Sequence, residues 1–326
     1  MPAVATRLRA MVRVMSDECV YILAPSREAA AALLGALPGR RCVVWTDEAS
    51  ARAGLPEAEL LIAGSLPAGT AALAGRLRWV HALGAGVDAL LPELPAGAQL
   101  MRVTGVHEAT MCEHAWALIL ALTRQLAVAV AQQDLQVWRR FPTTSLAGRT
   151  LAVLGLGAVG GRIAAVGAAF GMRVVGTRRS GRPVPGVAEL HAPAATREAI
   201  AAADVVVVTL PLTPATRGLL GAEMLAAMRP GARLVVIGRG GVVDEDALVV
   251  RLRSGALAGA ALDVTASEPL PPGSPLWGAP NLLLTPHMAG WNPDHAPRVA
   301  AVIAANLDRR DRGLAPLGLV DRARGY

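Results

Sequence analysis

Short apolar runs alternate with alanine-rich segments of helical periodicity along most of the chain. In the first hundred residues, apolar runs predict strands over 19–24, 41–45, 60–64 and 79–83, and helical periodicity predicts helices over 27–37 and 70–76. Such alternation is typical of a parallel sheet covered by helices.

A second alternation of the same kind fills the later part of the chain. A long helical stretch over 108–133 and a polar, proline-containing connection over 138–148 precede it. Strands are then predicted over 150–154, 173–176, 203–210, 233–237, 258–264 and 281–285, with helices over 162–170 and 298–310. The pattern predicts an α/β protein with two Rossmann-like, doubly wound parallel-sheet domains.

Length and composition agree with two domains and no membrane span. The 326 residues are enough for roughly two domains of about 150 residues each. The longest apolar helical stretch, 115–130, is interrupted by Thr123, Arg124 and Gln125 and is shorter than the roughly 20 residues that span a bilayer. Residues 1–15 contain no apolar core of signal-peptide length, so we expect either a tail or an upstream start codon there, with translation beginning at Met15.

Charge and cysteine usage exclude several other classes of function. All 32 basic residues are arginine, which rules out lysine Schiff-base or lysine general-base chemistry. The net charge of +7 comes from scattered arginines, and only 2 Tyr and 2 Phe are available for stacking, so a solvated surface is favoured over a nucleic-acid partner. The three cysteines form no CxxC pair, which indicates thiols in a reducing cytoplasm and predicts no metal site.

A glycine-rich turn follows the predicted strand 150–154. It reads Gly155-Leu-Gly-Ala-Val-Gly160, a G-x-G-x-x-G sequence that opens a helix and precedes another strand. Gly155 permits the tight turn, and Gly157 lets a pyrophosphate approach the free N–H groups of the helix start at Ala158 and Val159. Gly160 lets the helix pack closely on the strand. A glycine-rich turn without a ligand is the alternative.

The end of the next strand is where such domains select between the two nicotinamide dinucleotides. An acidic residue there holds the ribose 2′-hydroxyl, whereas arginine accommodates a 2′-phosphate. This chain has no acid in 174–180, and instead has Thr177, Arg178, Arg179 and Ser180. NADPH is therefore the expected cofactor, with NADH possible, unless the arginines are ordinary surface residues of an arginine-rich chain.

Three residues in the last third of the chain have the chemistry for reducing a 2-keto acid. Arg239 lies in Ile-Gly-Arg-Gly-Gly, Glu268 in Leu-Asp-Val-Thr-Ala-Ser-Glu-Pro-Leu, and His287 in Leu-Thr-Pro-His-Met-Ala-Gly. A guanidinium holds a carboxylate in two prongs, and an imidazole exchanges protons near neutral pH. The alternatives are a surface arginine, a turn-shaping glutamate before Pro269 and a structural loop histidine.

With these phrases the chain resembles the D-isomer-specific 2-hydroxyacid dehydrogenases, which include glyoxylate/hydroxypyruvate reductases, D-3-phosphoglycerate dehydrogenases and D-lactate dehydrogenases. The resemblance runs from about Trp79 to Gly290. It is carried by segments 84–88, 155–160, 210–216, 228–233, 239–240, 261–264, 268–269 and 285–287, and by Glu113.

The resemblance implies a role for each matching residue. Arg239 binds the substrate carboxylate, His287 gives its proton to the keto oxygen, and Glu268 keeps His287 protonated. Further implied substrate-binding residues are Gly84, Ala85, Gly86 and Trp291. Further implied cofactor-binding residues are Leu210, Pro211, Thr216, Ile237, Gly238 and Asp263, of which Asp263 is expected to hold the nicotinamide carboxamide. His81, His107, His114, His191 and His295 match no catalytic phrase and are expected to be structural or on the surface.

The resemblance also implies how the chain is organised. A cofactor domain over 106–288 is expected to be inserted into a substrate domain over 1–105 and 289–326, with the active site in the cleft between them. A homodimer is expected, in which Trp138 either closes the partner's pocket or packs in the interface. Val236 stands where the family often has asparagine, which removes one hydrogen-bonding group.

The leading hypothesis is an NADPH-preferring reductase of a small 2-keto acid, of the glyoxylate/hydroxypyruvate type, that forms the D-2-hydroxy acid. Phosphoglycerate or phosphite oxidation is an alternative, since the same three residues would serve it. An alternative from a different class is a cofactor-sensing binding protein similar to the transcriptional corepressors that resemble this family.

Overall fold

Residues 18–326 are described by the structure, a computed structural model, and they divide into two compact units. One unit comprises residues 18–104 together with Ala296–Gly325, and the other comprises Gly105–His295 together with Tyr326. The chain therefore leaves the first unit, builds the second and returns. The segment 1–15, with its expected tail or alternative start, lies outside the described residues.

The first unit contains a five-stranded sheet in which every neighbouring pair is parallel. Its strands are β1 (Val20–Leu23), β2 (Cys42–Trp45), β3 (Leu60–Ala63), β4 (Trp79–Ala82) and β5 (Gln99–Met101), and its first helices are α1 (Arg27–Ala36) and α2 (Glu48–Gly54). The order β2-β1-β3-β4-β5 places the change of winding direction beside β1. All four residues of β3 and of β4 are buried, as in a strand covered on both faces.

The second unit contains a seven-stranded parallel sheet. Its strands are β6 (Thr150–Leu154), β7 (Arg173–Thr177), β8 (Glu189–His191), β9 (Val205–Val208), β10 (Ala232–Val236), β11 (Leu257–Leu262) and β12 (Leu282–Leu284). Its helices are α3 (Glu108–Arg124), α4 (Leu126–Asp134), α5 (Ala158–Ala169), α6 (Thr196–Ala201), α7 (Ala222–Ala227) and α8 (Glu245–Arg253), and α9 (His295–Asp311) begins at its last segment.

The strand order β12-β11-β10-β9-β6-β7-β8 places the switch in winding direction between β6 and β9. The chain moves outward from β6 through β7 and β8, then crosses back to β9 and continues the other way. Ligands of doubly wound sheets bind outside the carboxyl ends of strands at such a point. The prediction of two doubly wound parallel α/β domains is confirmed.

Both faces of the second sheet are packed. Leu151 and Val153 of β6 enter one apolar cluster, and Ala152 and Leu154 enter the cluster on the opposite face. Each fully buried aliphatic side chain contributes on the order of 1.5–3 kcal/mol relative to an exposed one. Because helices cover both faces of this sheet, side chains on both faces of its strands are buried. The sequence therefore shows unbroken apolar runs there.

The helix predicted over 70–76 is wrong, because this segment forms successive turns. The carboxylate of Glu93 accepts hydrogen bonds from the backbone N–H groups of Gly69, Thr70 and Ala71 at 2.7–3.1 Å. This distant carboxylate thus fixes the backbone at the point where the turns begin. The alanine-rich composition could not reveal that partner.

The helical stretch predicted over 108–133 is two helices, α3 and α4, broken at Gln125. That residue has a left-handed φ of 54°, and its side-chain amide donates to the Pro142 carbonyl at 2.8 Å. The two helices are bent by 67°. Among the described helices none is by itself long and apolar enough to cross a bilayer, and α3 with α4 meets that test only as this bent pair.

One buried histidine of the first unit is structural. The Nδ1 of His81 lies 2.8 Å from the Ala82 carbonyl, and its Nε2 accepts from the Asn306 amide at 2.9 Å. Asn306 in turn binds both the carbonyl and the N–H of Leu317. Burial lowers the pKa of His81 to about 4, so the ring is neutral and ties the last segment of the chain to the sheet.

Candidate active site

Three adjacent strands of the second sheet end level with one another. Val236 of β10 pairs with Leu262 of β11, and Leu262 pairs with Leu284 of β12. Because parallel strands have their carboxyl ends at one edge, the three loops that follow start from the same row. These loops carry Arg239, Glu268 and His287.

Glu268 and His287 are in direct contact. The His287 Nδ1 lies 2.6 Å from the Glu268 Oε2, and the other carboxylate oxygen accepts the Thr265 N–H at 3.0 Å. The His287 backbone has a left-handed φ of 51°, and its N–H donates to the Asp263 and Thr285 carbonyls at 2.8 and 3.0 Å. Both side chains are partly exposed, 47% for His287 and 36% for Glu268, so the pair is accessible to a reactant.

Arg239 lies in the loop after β10, close to the loop that carries Glu268. Its Nη1 donates to the Gly238 carbonyl at 2.9 Å, and the side chain is half-buried. A Cβ at the next residue, Gly240, would lie only 1.9 Å from the Thr265 carbonyl oxygen. The loop with Arg239 therefore passes in backbone contact with the loop that carries Glu268, and only glycine allows this approach.

A buried carboxylate organises the loop around His287. Asp263, 2% exposed, accepts the Thr285 hydroxyl at 2.6 Å and the Met288 and Ala289 N–H groups at 3.0 and 2.9 Å. The Nε2 of His114, on α3, lies 3.3 Å from Asp263 and 3.0 Å from the Thr285 hydroxyl. His114 supports the His287 loop from α3, a contact that its position in an apolar helix did not indicate.

The glycine-rich turn has the geometry that a dinucleotide needs. Gly155 has a φ of 100°, and a Cβ at Gly160 would lie 2.3 Å from the Gly155 carbonyl oxygen. A Cβ at Gly157 would meet nothing within 4 Å, so the turn is open where a pyrophosphate would lie. Helix α5 begins at Ala158 without a side-chain cap, which leaves the N–H groups of its first turn, through Val159, for an anion. The residues of this turn therefore fit the pyrophosphate of a dinucleotide.

The turn is held by two hydroxyls. The Thr209 hydroxyl, after β9, donates to the Gly155 carbonyl at 2.7 Å, and the Thr177 hydroxyl accepts the Gly155 N–H at 3.3 Å. Thr177 is 3% exposed, so the structure directs its hydroxyl to the turn and not outward. Thr209 was missed by sequence reasoning, since it lies far along the chain and matches no motif.

Two arginines follow β7 on the surface of this unit. Arg178 is half-buried and Arg179 exposed, and both line a cavity of about 330 Å³ bounded on another side by His191 of β8. The Arg178 Nη1 donates to the Arg182 carbonyl at 3.3 Å, and the Arg179 guanidinium lies 4.5 Å from the ring centroid of Tyr326. The cavity carries positive charge beside the strand that follows the glycine-rich turn.

The remaining predicted cofactor residues lie after β9 and β10. A Cβ at Gly238 would lie 2.5 Å from the Leu210 carbonyl oxygen, so these two segments run side by side, and the Ile237 side chain is buried. The Thr216 hydroxyl donates to the Pro211 carbonyl at 2.6 Å and thereby closes the 211–216 loop on itself.

The predicted substrate residues fall in different units. Gly84, Ala85 and Gly86 follow β4 in the first unit, where Ala85 is exposed and the Gly84 carbonyl accepts the Val103 N–H at 3.0 Å. Trp291 belongs to the second unit and is 68% exposed. Within residues 18–326 no group of three His, Cys, Asp or Glu side chains could hold a metal ion.

Comparison with known proteins identifies the family. Residues 116–289 match the model of the D-isomer specific 2-hydroxyacid dehydrogenase family, NAD binding domain. The chain belongs to this family and is an oxidoreductase, and the resemblance found in its sequence is confirmed.

Relatives and solved structures give the same family. The chain is 36% identical over 262 residues to glyoxylate/hydroxypyruvate reductase A of Serratia proteamaculans, covering 77% of this chain and 82% of that one. It is 34% identical to D-3-phosphoglycerate dehydrogenase of Mycobacterium leprae, covering 82% of this chain and 52% of the relative. The NADPH-dependent glyoxylate/hydroxypyruvate reductase of Sinorhizobium meliloti, solved with NADP and sulfate, superposes with a TM-score of 0.85 at 31% identity, over 95% of this chain and 100% of that one.

Proposed function

We propose that this protein uses NADPH to reduce a small 2-keto acid of the glyoxylate or hydroxypyruvate type to the D-2-hydroxy acid. The 2.6 Å contact between Glu268 and His287, at the sheet edge that also carries Arg239, is the observation that supports it most directly. The relatives named as glyoxylate/hydroxypyruvate reductases support the substrate class.

Each catalytic group has a task that follows from its chemistry. When bound, the reduced nicotinamide supplies the hydride that goes to the keto carbon. Arg239 grips the substrate carboxylate in two prongs and polarises the keto oxygen. Because Glu268 occupies the Nδ1 of His287, the Nε2 is the nitrogen that delivers a proton to that oxygen.

Glu268 acts on His287 and not on the substrate. A carboxylate in contact with an imidazole stabilises its charged form and fixes the orientation of the ring. We assign Gly84, Ala85 and Gly86 to the substrate carboxylate and Trp291 to the pocket wall, because they match the family's pattern.

We propose NADPH as the preferred cofactor, with NADH as a weaker substitute. Gly155, Gly157, Ala158, Val159 and Gly160 would hold the pyrophosphate, and the cavity after β7 would hold the 2′-phosphate. Leu210, Pro211, Thr216, Ile237, Gly238 and Asp263 would line the remainder of the dinucleotide site, with Asp263 towards the carboxamide.

We further propose a homodimer in the cytoplasm. Helix α4 contains no buried residue, and Leu135 and Trp138 beyond it are 74% and 100% exposed, as expected of a surface that a second copy covers. The cysteines at 19, 42 and 112 are free thiols, which suits a reducing compartment.

Phosphoglycerate oxidation is the second candidate function, favoured by the Mycobacterium leprae relative.

The test is a panel of glyoxylate, hydroxypyruvate, pyruvate and phenylpyruvate assayed with NADPH and NADH, with 3-phosphoglycerate oxidation in parallel. We expect glyoxylate and hydroxypyruvate with NADPH to give the highest kcat/KM. The variant His287→Ala should lose about 10²–10⁴-fold in kcat, the usual contribution of a general acid, and still bind NADPH. A wild-type protein inactive on the whole panel, or His287→Ala turning over at the wild-type rate, would refute the proposal.

A further inference from the structure

Glu245 is a carboxylate in the second unit to which the proposed mechanism gives no task. It is the first residue of α8, and its Oε1 accepts the Ala266 N–H at 2.6 Å. The start of α8 already has its cap, because Asp244 accepts the Ala247 N–H at 3.0 Å. Glu245 is half-buried, whereas Asp246 beside it is exposed. Its long-range bond therefore serves a purpose other than capping the helix.

Ala266 lies in the loop that carries Glu268. In this loop two consecutive N–H groups go to two different carboxylates, Thr265 to Glu268 at 3.0 Å and Ala266 to Glu245 at 2.6 Å. The Thr265 hydroxyl also donates to the Ser267 carbonyl at 2.8 Å. Releasing the Ala266 N–H would therefore free the neighbouring peptide that orients the Glu268 carboxylate.

The charges around Glu245 are consistent with close approach to this loop. Burial raises the pKa of its carboxyl, and the Ala266 N–H opposes that rise. The negative charges of Asp246, Glu268 and Asp244 add to the rise. Glu245 thus lies near Glu268 despite the repulsion between the two carboxylates. This indicates a structural role for the hydrogen bond that Glu245 accepts from the Ala266 N–H.

We propose that Glu245 is a positioning residue that holds the 265–266 peptide and thereby aims Glu268 at the Nδ1 of His287. Its kinetic consequence rests on the proposed function, since only a reaction that needs protonated His287 reports on this alignment. Helix α8 thus acts on proton delivery without touching the substrate.

Two substitutions separate the reach of this side chain from its charge. Glu245→Asp keeps the charge at the start of α8 but withdraws the carboxylate by one methylene from the Ala266 N–H. Glu245→Gln keeps the reach and an acceptor oxygen but removes the charge. We expect kcat to fall about 10-fold or more in Glu245→Asp and to stay within about threefold of wild type in Glu245→Gln. Asp246→Ala, in the same helical turn, is the matched control and should behave as wild type.

The split between kcat and KM distinguishes positioning from loss of stability. A misaligned Glu268 slows proton delivery by His287 and so lowers kcat, whereas partial unfolding of the second unit would also weaken nucleotide binding. We expect Glu245→Asp to lose kcat with an unchanged KM for NADPH. The proposal is overturned if Glu245→Gln is no better than Glu245→Asp, or if the loss in Glu245→Asp is accompanied by an equal rise in the KM for NADPH.

A measurement without substrate separates this proposal from the proposed function. The His287 ring can be observed by NMR in histidine-labelled protein, its signal being the one of six missing in His287→Ala. Glu245→Asp should change the chemical shift of this signal, because the Glu268 carboxylate moves away from Nδ1, and Asp246→Ala should not. A wild-type protein inactive on every keto acid would sink the proposed function, while this spectrum would still decide the role of Glu245.

Discussion

We expect two neighbouring side chains to determine which cofactor the second unit prefers. Arg178 and Arg179 are the charged groups of the cavity after β7, and the chain has no acid in 174–180 that would favour the unphosphorylated ribose. A hydrogen bond to a charged group contributes about 1.5–3 kcal/mol, so each lost contact weakens binding by roughly 10–100-fold.

Replacing Arg178 and Arg179 together by alanine removes two such contacts, and should therefore raise the Kd for NADPH by about 10²–10⁴-fold and leave that for NADH within about threefold. Fluorescence titration of both nucleotides measures the difference. Arg253→Ala is the control, because this exposed arginine ends α8 and so lies near the opposite edge of the sheet. Equal losses for NADPH and NADH would rule out recognition of the 2′-phosphate.

For individual side chains, the sequence predicts which residues belong to the site but not always how their side chains are oriented. Glu268 and His287 were predicted to pair, and the structure places them in contact. Thr177 was expected to face the cofactor, yet its buried hydroxyl contacts Gly155. His114 and Glu245 were not predicted as site residues, because their partners lie 171 and 21 residues away.

The arrangement of the candidate site depends on how the loops after the strands pass one another. The loop with Arg239 touches the loop with Glu268 through backbone atoms at Gly240, where even one methyl group would overlap the Thr265 carbonyl. Such an overlap cannot be relieved by turning a flexible side chain, so one of the two loops must move.

Gly240→Ala should lower kcat/KM for the keto acid by about 100-fold, the effect of misplacing a catalytic group by about 1 Å, with little change in NADPH affinity. Steady-state kinetics and nucleotide titration measure the two quantities. Gly273→Ala is the control, since a Cβ there meets nothing within 4 Å. Wild-type kinetics in Gly240→Ala would show that the two loops tolerate separation.

Strands were easier to predict than helices for a physical reason. Strands buried on both faces must be apolar throughout, so β6, β9 and β10 are visible as runs such as the four valines of β9. The start or end of a helix depends on a few donors and acceptors. Glu93 binds the backbone where the turns of 70–76 begin, and Gln125 divides α3 from α4, by contacts that no local pattern encodes.

Among the described residues, those of α4 and the segment after it form an apolar surface that the chain's own fold does not cover. Helix α4 and the following residues present Leu126, Val130, Leu135, Val137 and Trp138, all between 45% and 100% exposed. Isolated exposed apolar side chains are ordinary, whereas a contiguous set on one element marks an interaction site.

We expect the wild-type protein to have twice the 33.6 kDa mass of one chain in size-exclusion chromatography with light scattering. Val130→Asp combined with Leu135→Asp should yield the single-chain mass, because two buried, unpaired charges cost several kcal/mol. Val250→Asp, which alters a residue 64% exposed on α8, should remain a dimer. A wild-type protein of single-chain mass would contradict the proposed homodimer.

The level ends of β10, β11 and β12 determine which parts of this protein can vary in sequence during evolution. Arg239, Glu268 and His287 lie in the loops that directly follow this paired row, so any insertion within these strands would displace the three side chains relative to one another. Trp291 and the 84–86 segment are outside this paired row. We expect substitutions at Trp291 to alter substrate choice and to leave the spacing of Arg239, Glu268 and His287 unchanged.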